Sequence, residues 1–130
     1  LRFGRRQRLT KANEFDAVHR ARVRKNVGPL GVSAAPNGLG HARLGLSIGR
    51  RLGGAVVRSR LKRLVREAFR LEQASMPAGL DLVVTVRTPS GAELGAYRAA
   101  LREAAHELGL EWERRVRRAA ARTAAKEPGA

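Results

Sequence analysis

A chain of 130 residues with 27 basic and 11 acidic side chains carries a formal net charge of +16. The length allows one domain with a modest core, and the absence of cysteine excludes disulfides and thiolate metal sites and fits a reducing compartment. No apolar run approaches the ~18 residues of a membrane span and no signal-peptide pattern is visible, so nucleic acid rather than a lipid surface is the expected polyanion. Arginine dominates the cations, 23 of the 27. Its planar fork binds phosphate bidentately and stacks on bases, which simple solubility does not require.

The charge is uneven: residues 1–30 carry +7 and residues 50–72 carry +6, while 31–49 add +1, 73–109 come to −1 and 110–130 contribute +3. Residues 1–8 (LRFGRRQR) lack periodicity and hold four arginines, and read as a mobile basic arm. Thr10 or Asn13 can cap a short helix, with Asp16 three residues after Asn13. Phe15, Val18 and His19 then share a face. Arg22, Arg24 and Lys25 read as a loop. Val27 to Ala35 has weak strand character broken by Gly28, Pro29 and Gly31, and Pro36-Asn37-Gly38 is a strong turn signal. Arg43 to Gly49 alternates, with Leu44, Leu46 and Ile48 on one face. The pair reads as a hairpin with a long loop.

Arg50 to Glu72, RRLGGAVVRSRLKRLVREAFRLE, is the most informative stretch. At about 100° per residue, Leu64, Val57, Ala68, Leu61 and Val65 fall on one arc with Phe69 at its edge. Arg58, Lys62, Arg66 and Arg70 follow at i+4 steps on the other side, Arg63 lies beyond them and Ser59 falls inside the basic arc. Like charges at this spacing repel by roughly 0.2–0.5 kcal/mol per adjacent pair, a cost that an anionic partner would offset. The nearest acid, Glu67, lies on the flank, whereas a merely solvated helix usually mixes signs.

Leu80, Leu82, Val84 and Val86 alternate with Asp81, Val83, Thr85 and Arg87 in a further strand that ends at Thr88-Pro89-Ser90-Gly91. Ser90 or Gly91 can start a last helix, in which Leu94, Tyr97, Leu101, Ala104 and Leu108 recur at helical spacing and Gly109 is a candidate C′ residue. The domain is expected over 9–110. Residues 111–130 are then a basic extension, helical or disordered, with too few apolar residues to matter to the fold.

GGAVVRSRLKRLVREAF resembles the signature helix of the bacterial ribonuclease P protein component. Ala55, Val56, Val57, Arg58, Arg60, Lys62, Arg63, Arg66 and Glu67 carry the likeness, and Ser59 stands where the family typically has asparagine. The elements in chain order, helix, two strands or three, helix, strand, helix, read as an α/β sandwich with helices against one sheet, and the resemblance agrees with that order. It also implies a left-handed β-α-β crossover, where general rules would give a right-handed one.

In function the resemblance implies the protein subunit of ribonuclease P, a cytoplasmic ribonucleoprotein that removes the 5′ leader of precursor tRNA. Catalysis would belong to the RNA subunit and its Mg²⁺ ions. Arg50, Arg51, Arg58, Ser59, Arg60, Lys62, Arg63, Arg66 and Arg70 are then expected on the catalytic RNA. A cleft on the polar sheet face, around Phe15, His19, Ser33, Arg43 and Ser47, is expected to take the single-stranded leader, with His19 and Ser33 where aromatics are usual. Neither a membrane nor DNA is an expected partner. A structural RNA-binding protein, such as a ribosomal protein, is the alternative, and an autonomous nuclease a distant third. His19, His41 and His106 lie in three different elements without metal-ligand spacing, and no nucleophile elbow or P-loop is present.

Overall fold

The computed structural model describes residues 3–88 and 93–126. In chain order these form α1 (Ala12–Ala21), β1 (Arg24–Val27), β2 (Leu30–Pro36), β3 (Arg43–Leu46), α2 (Ala55–Leu71), β4 (Leu80–Val86) and α3 (Leu94–Lys126). One four-stranded sheet runs β1-β2-β4-β3, with β3 and β4 parallel and the other pairs antiparallel. The connection between the parallel neighbours β3 and β4 contains α2. The expected helix start at Ser90 or Gly91 lies outside the described residues.

The core forms where the even positions of β4 (Leu80, Leu82, Val84, Val86) meet Leu30 and Val32 of β2, Leu61, Val65 and Phe69 of α2 and Tyr97, Leu101 and Leu108 of α3. On the other sheet face α1 packs Val18 against Leu9, Ala35 and Val83. β4 is therefore covered on both faces. An apolar strand of this kind belongs at the centre of a sheet, and that is why the expected hairpin of β2 with β3 does not form: β4 pairs with β2 from Leu30↔Val86 to Pro36↔Leu80 and separates it from β3. The Pro36–Gly38 turn is present but serves another end. The Asn37 side chain accepts from Leu39 N–H (2.7 Å) and donates to the Asp81 carboxylate (2.9 Å), tying the turn to the start of β4.

The segment expected as a loop at Arg24 and Lys25 is β1. It pairs with β2 through a tight turn at Gly28 and Pro29, where Gly28 takes φ 52°, a conformation that favours glycine. Two of the breakers that weakened the strand reading, Gly28 and Pro29, are the turn itself, and the third, Gly31, is paired within β2. At α1, neither Thr10 nor Asn13 supplies the cap. The Glu14 carboxylate instead accepts from the backbone N–H of Lys11 (2.9 Å) and Thr10 (3.1 Å).

The amino-terminal arm is not loose over residues 3–8. Phe3 packs edge-on against Phe69, ring centroids 5.4 Å apart, Arg8 bridges to Leu44 in parallel fashion, and Leu9 N–H donates to the Leu44 carbonyl at 2.9 Å. In α2, Leu61, Val65, Ala68 and Phe69 are buried as the wheel required, but Val57 is 42% exposed. It sits in the first turn and packs over Gly53, where an added Cβ would meet Val57 atoms at 2.9–3.3 Å.

The end of α2 is clamped to α3 through buried Glu72, which accepts from Arg98 (3.0 Å) and Arg102 (3.1 Å). Gly109 does not end α3. It lies within the helix because Pro77 packs there, 3.3 Å from where a Cβ would stand. Trp112 donates its indole N–H to the Ala34 carbonyl at 3.0 Å and touches both hydrophobic clusters, so the packed body extends past residue 110.

Candidate nucleic-acid interface

Two concave surfaces bring together the basic side chains of the sheet and of α2. The first is a cleft of about 450 Å³ lined by His19, Arg24, Ser33, Ser47, Gly49, Arg50, Arg51, Leu52, Val83 and Thr85. Its floor comes from strand positions facing α1: Ser33 on β2, opposite Arg24 in register on β1, and Thr85 on β4. Ser47 follows β3 and is fixed by its N–H to the Val84 carbonyl (2.9 Å). His19, near the end of α1, makes the wall and is exposed.

Arg24 is held across the sheet. Its Nε donates to Asn26 Oδ1 at 3.0 Å, and its guanidinium lies over Gly31, where any Cβ would come within 2.2 Å of it. Glycine at 31 is therefore what lets an arginine lie flat on this face. A polar floor with Arg24, Arg50 and Arg51 around it suits a phosphodiester chain.

Of the five residues expected in this cleft, His19, Ser33 and Ser47 are brought together. Phe15 is half-buried against Leu9 and Val18, its ring over Gly45, and does not line the cavity. Arg43 is committed elsewhere. It donates to both Asp81 oxygens (2.8 Å each) and to Glu14 (2.9 Å). Asp81, which alternation sets on the opposite face from Leu80 and Leu82, is only 6% exposed beneath it. The Lys11 and Thr10 amides, with Arg43 adding, hold the Glu14 carboxyl below the usual carboxylate range.

The second surface, of about 570 Å³, lies between the amino-terminal segment, α2 and the start of α3, and is lined by Phe3, Arg8, Arg60, Arg63, Leu64, Arg66, Glu67, Arg70 and Leu94. Arg8 lies over the Phe3 ring, 4.8 Å from its centroid. Ser59, Arg60, Arg63 and Arg66 are exposed, whereas Arg58 and Lys62 are half-buried on the flank. Arg70 pairs with Glu67 and its hydrogen bond lowers the Glu67 pKa. The exposed basic face is thus turned toward Arg60 and Arg63 relative to the i+4 ladder.

His41 Nε2 is 2.9 Å from the Arg6 carbonyl, and among the described residues no group of three or more His, Cys, Asp or Glu side chains could hold a metal.

The sequence profile described as Ribonuclease P matches residues 3–109. The chain belongs to the ribonuclease P protein family. It is 44% identical over 88 residues to the ribonuclease P protein component of Chromobacterium violaceum, covering 67% of this chain and 72% of that one. With the component from Methylococcus capsulatus it shares 46% over 89 residues, 68% and 69% of the two chains. The solved ribonuclease P protein of Thermotoga maritima superposes with a TM-score of 0.66 at 29% identity, covering 72% of this chain and 90% of that one. The Staphylococcus aureus protein does so with 0.66 at 25%, covering 75% and 91%. The α+β fold with its parallel β3-α2-β4 unit is therefore the fold of ribonuclease P proteins.

Sequence reasoning missed Arg24, Thr85, Phe3 and Arg8. For Arg24 the signal was there: Arg24 and Asn26 alternate with Lys25 and Val27 just ahead of Gly28-Pro29, which is how one arm of a hairpin reads. For Phe3 and Arg8 there was no local signal, because their partners Phe69 and Leu44 are distant in sequence.

Proposed function

We propose that this chain, as the protein subunit of ribonuclease P, holds the catalytic RNA on the arginine-lined groove of α2 and the 5′ leader of precursor tRNA in the cleft between α1 and the sheet. The observation that carries the reading is the cleft, a polar floor bordered by three arginines and open to solvent along the sheet. Chemistry at the scissile phosphate is assigned to the RNA subunit. The carboxylates nearest the two basic surfaces are engaged by arginine, Glu14 and Asp81 by Arg43, Glu67 by Arg70 and Glu72 by Arg98 and Arg102. In this reading the protein screens phosphate repulsion and positions substrate within a cytoplasmic particle. None of the described helices is long and apolar enough to cross a membrane.

The test combines precursor tRNA with this protein, with a bacterial ribonuclease P RNA, and with both, at low Mg²⁺. Cleavage is expected with both and not with protein alone. A structural RNA-binding protein would bind without promoting cleavage, and protein-only cleavage would point to an autonomous nuclease.

The leader cleft is also improvable. Single strands gain about 1–3 kcal/mol per base stacked on an aromatic ring, and His19 is an exposed wall position with room for one. His19→Phe should tighten binding to precursor tRNA, but not mature tRNA, by up to about 1 kcal/mol. Equal effects on both substrates, measured by competition binding, would show that His19 does not meet the leader.

A further inference from the structure

Beyond residue 109, where the family match ends, α3 continues without a break to Lys126. The whole helix is 33 residues, or about 50 Å at 1.5 Å per residue. Trp112 is its last half-buried side chain, and every residue from Glu113 to Lys126 is exposed. Val116 and Arg117 sit at the root, beside Pro36 and Pro77, and the remainder projects from the domain. Alone, a helix as short as this projecting part would be marginal in water. This one needs no nucleation because it prolongs a packed helix, and RRAAARTAAK is rich in the best helix formers.

From Arg114 to Lys126 the sequence has six cations and no acid. At about 100° per residue Arg114, Arg118, Arg122, Arg115 and Lys126 fall within an arc of about 120°. The opposite side carries Val116, Ala120, Thr123 and Ala124 with Arg117 at its edge, and Val116 and Arg117 line the Pro36–Pro77 groove, so the main basic stripe looks away from the domain. Arg114 and Arg115 share Glu111 at the root (3.1 and 3.2 Å). Among the described residues Arg118, Arg122 and Lys126 make no ion pair.

We propose that the projecting part of α3 is a second RNA-binding arm, which lies along the phosphate backbone of double-helical RNA. It rests on the reading that RNA is the partner of this domain, and adds a surface that neither the cleft nor the α2 groove supplies. Its chemistry excludes the other polyanions. A helix lying in a membrane interface needs Trp, Phe or Leu opposite its cations, and here that side is alanine, threonine and a single valine at the rim of a groove. A single strand would be gripped by aromatic platforms, and no aromatic follows Trp112. Rigidly spaced arginines without apolar or stacking groups suit repeated phosphates.

The experiment replaces Arg118, Arg122 and Lys126 together by Gln in the full chain, leaving Trp112 and Val116 intact. Binding is measured across a salt series to ribonuclease P RNA, a plain RNA duplex of about 20 base pairs, a single-stranded oligonucleotide of leader length and phosphatidylglycerol vesicles. The slope of log K against log salt should flatten by about two to three units for the first two RNAs and by less than one for the single strand. Arg118→Lys with Arg122→Lys, which keeps the charge, should restore the slope. Unchanged slopes on both duplex-containing RNAs would overturn the proposal, as would an equal loss on the single strand or a loss confined to vesicles. Arg60→Gln with Arg63→Gln and Arg66→Gln is the control. If that variant loses RNA affinity while the arm variant does not, only the arm fails; if neither does, the functional reading above fails with it.

Discussion

Arg43→Ala should lower stability by about 3 kcal/mol, because it strands a buried carboxylate rather than an exposed charge. Asp81 is 6% exposed and receives both of its Arg43 bonds at 2.8 Å, while Asn37 supplies the remaining donor. Removing the guanidinium also unties Glu14, and with it the start of α1, from the sheet. In a domain of this size the loss should appear as a fall in Tm of about 10 °C. Arg60→Ala, which removes an exposed arginine, should stay within about 0.5 kcal/mol. The network also has a pH signature. Glu14 is held below its ordinary pKa chiefly by the Lys11 and Thr10 amides and next by Arg43. Its contribution is therefore complete above the unfolded value of about 4.3 and is lost as pH falls through the lower folded value. Glu14→Gln should be less stable than the parent protein at neutral pH and converge with it in acid. A loss below 1 kcal/mol for Arg43→Ala would mean that the network is solvated and that Arg43 is available to RNA after all.

The same network shows where sequence reading reaches its limit. Alternation placed Arg43 and Asp81 correctly on the non-core side of their strands. What it could not show is that β3 and β4 are parallel neighbours with Arg43 directly opposite Asp81, or that α1 covers that face. A polar residue on the second face of a sheet reads as solvent-facing until the element above it is known. Pairing was misjudged for a related reason. A turn signal such as Pro36-Asn37-Gly38 is local, but the best partner for β2 lies about fifty residues further on and is selected by β4's need to be covered on both sides.

The long helices were more legible, because a 3.6-residue period reports burial directly. Leu61, Val65, Ala68 and Phe69 of α2, and Tyr97, Leu101, Ala104 and Leu108 of α3, are all buried. The wheel erred at the ends. Val57 belongs to the core arc by angle, but the first turn of α2 lies ahead of the sheet contact. Past residue 110 the apolar residues are too sparse for a stripe, yet one large ring, Trp112, with an N–H that reaches the Ala34 carbonyl of β2, fastens the middle of α3 to the sheet.

The second expected result follows from that rotation of α2. Arg60, Arg63 and Arg66 are its exposed cations, while Arg58 and Lys62 are half-buried and Arg70 is engaged by Glu67. Replacing Arg60, Arg63 and Arg66 together by Gln should leave the circular dichroism and Tm nearly unchanged, since Gln is a good helix former and the side chains face solvent. Every phosphate deprived of its arginine should take close to one unit off the slope of log K against log salt, so the triple variant should flatten it by about two to three units. Near 0.1 M salt the same counterion term corresponds to a loss of affinity for ribonuclease P RNA of about a hundredfold or more. Arg58→Gln with Lys62→Gln should lose much less, and at the expense of stability, because their stems pack along the flank of the helix. The two variants separate the i+4 ladder, which the sequence suggests, from the Arg60–Arg63–Arg66 face, which solvent exposure selects. If the Arg58 and Lys62 pair shows the larger change in slope, the RNA meets the flank of α2 and the groove beside Phe3 is not its seat.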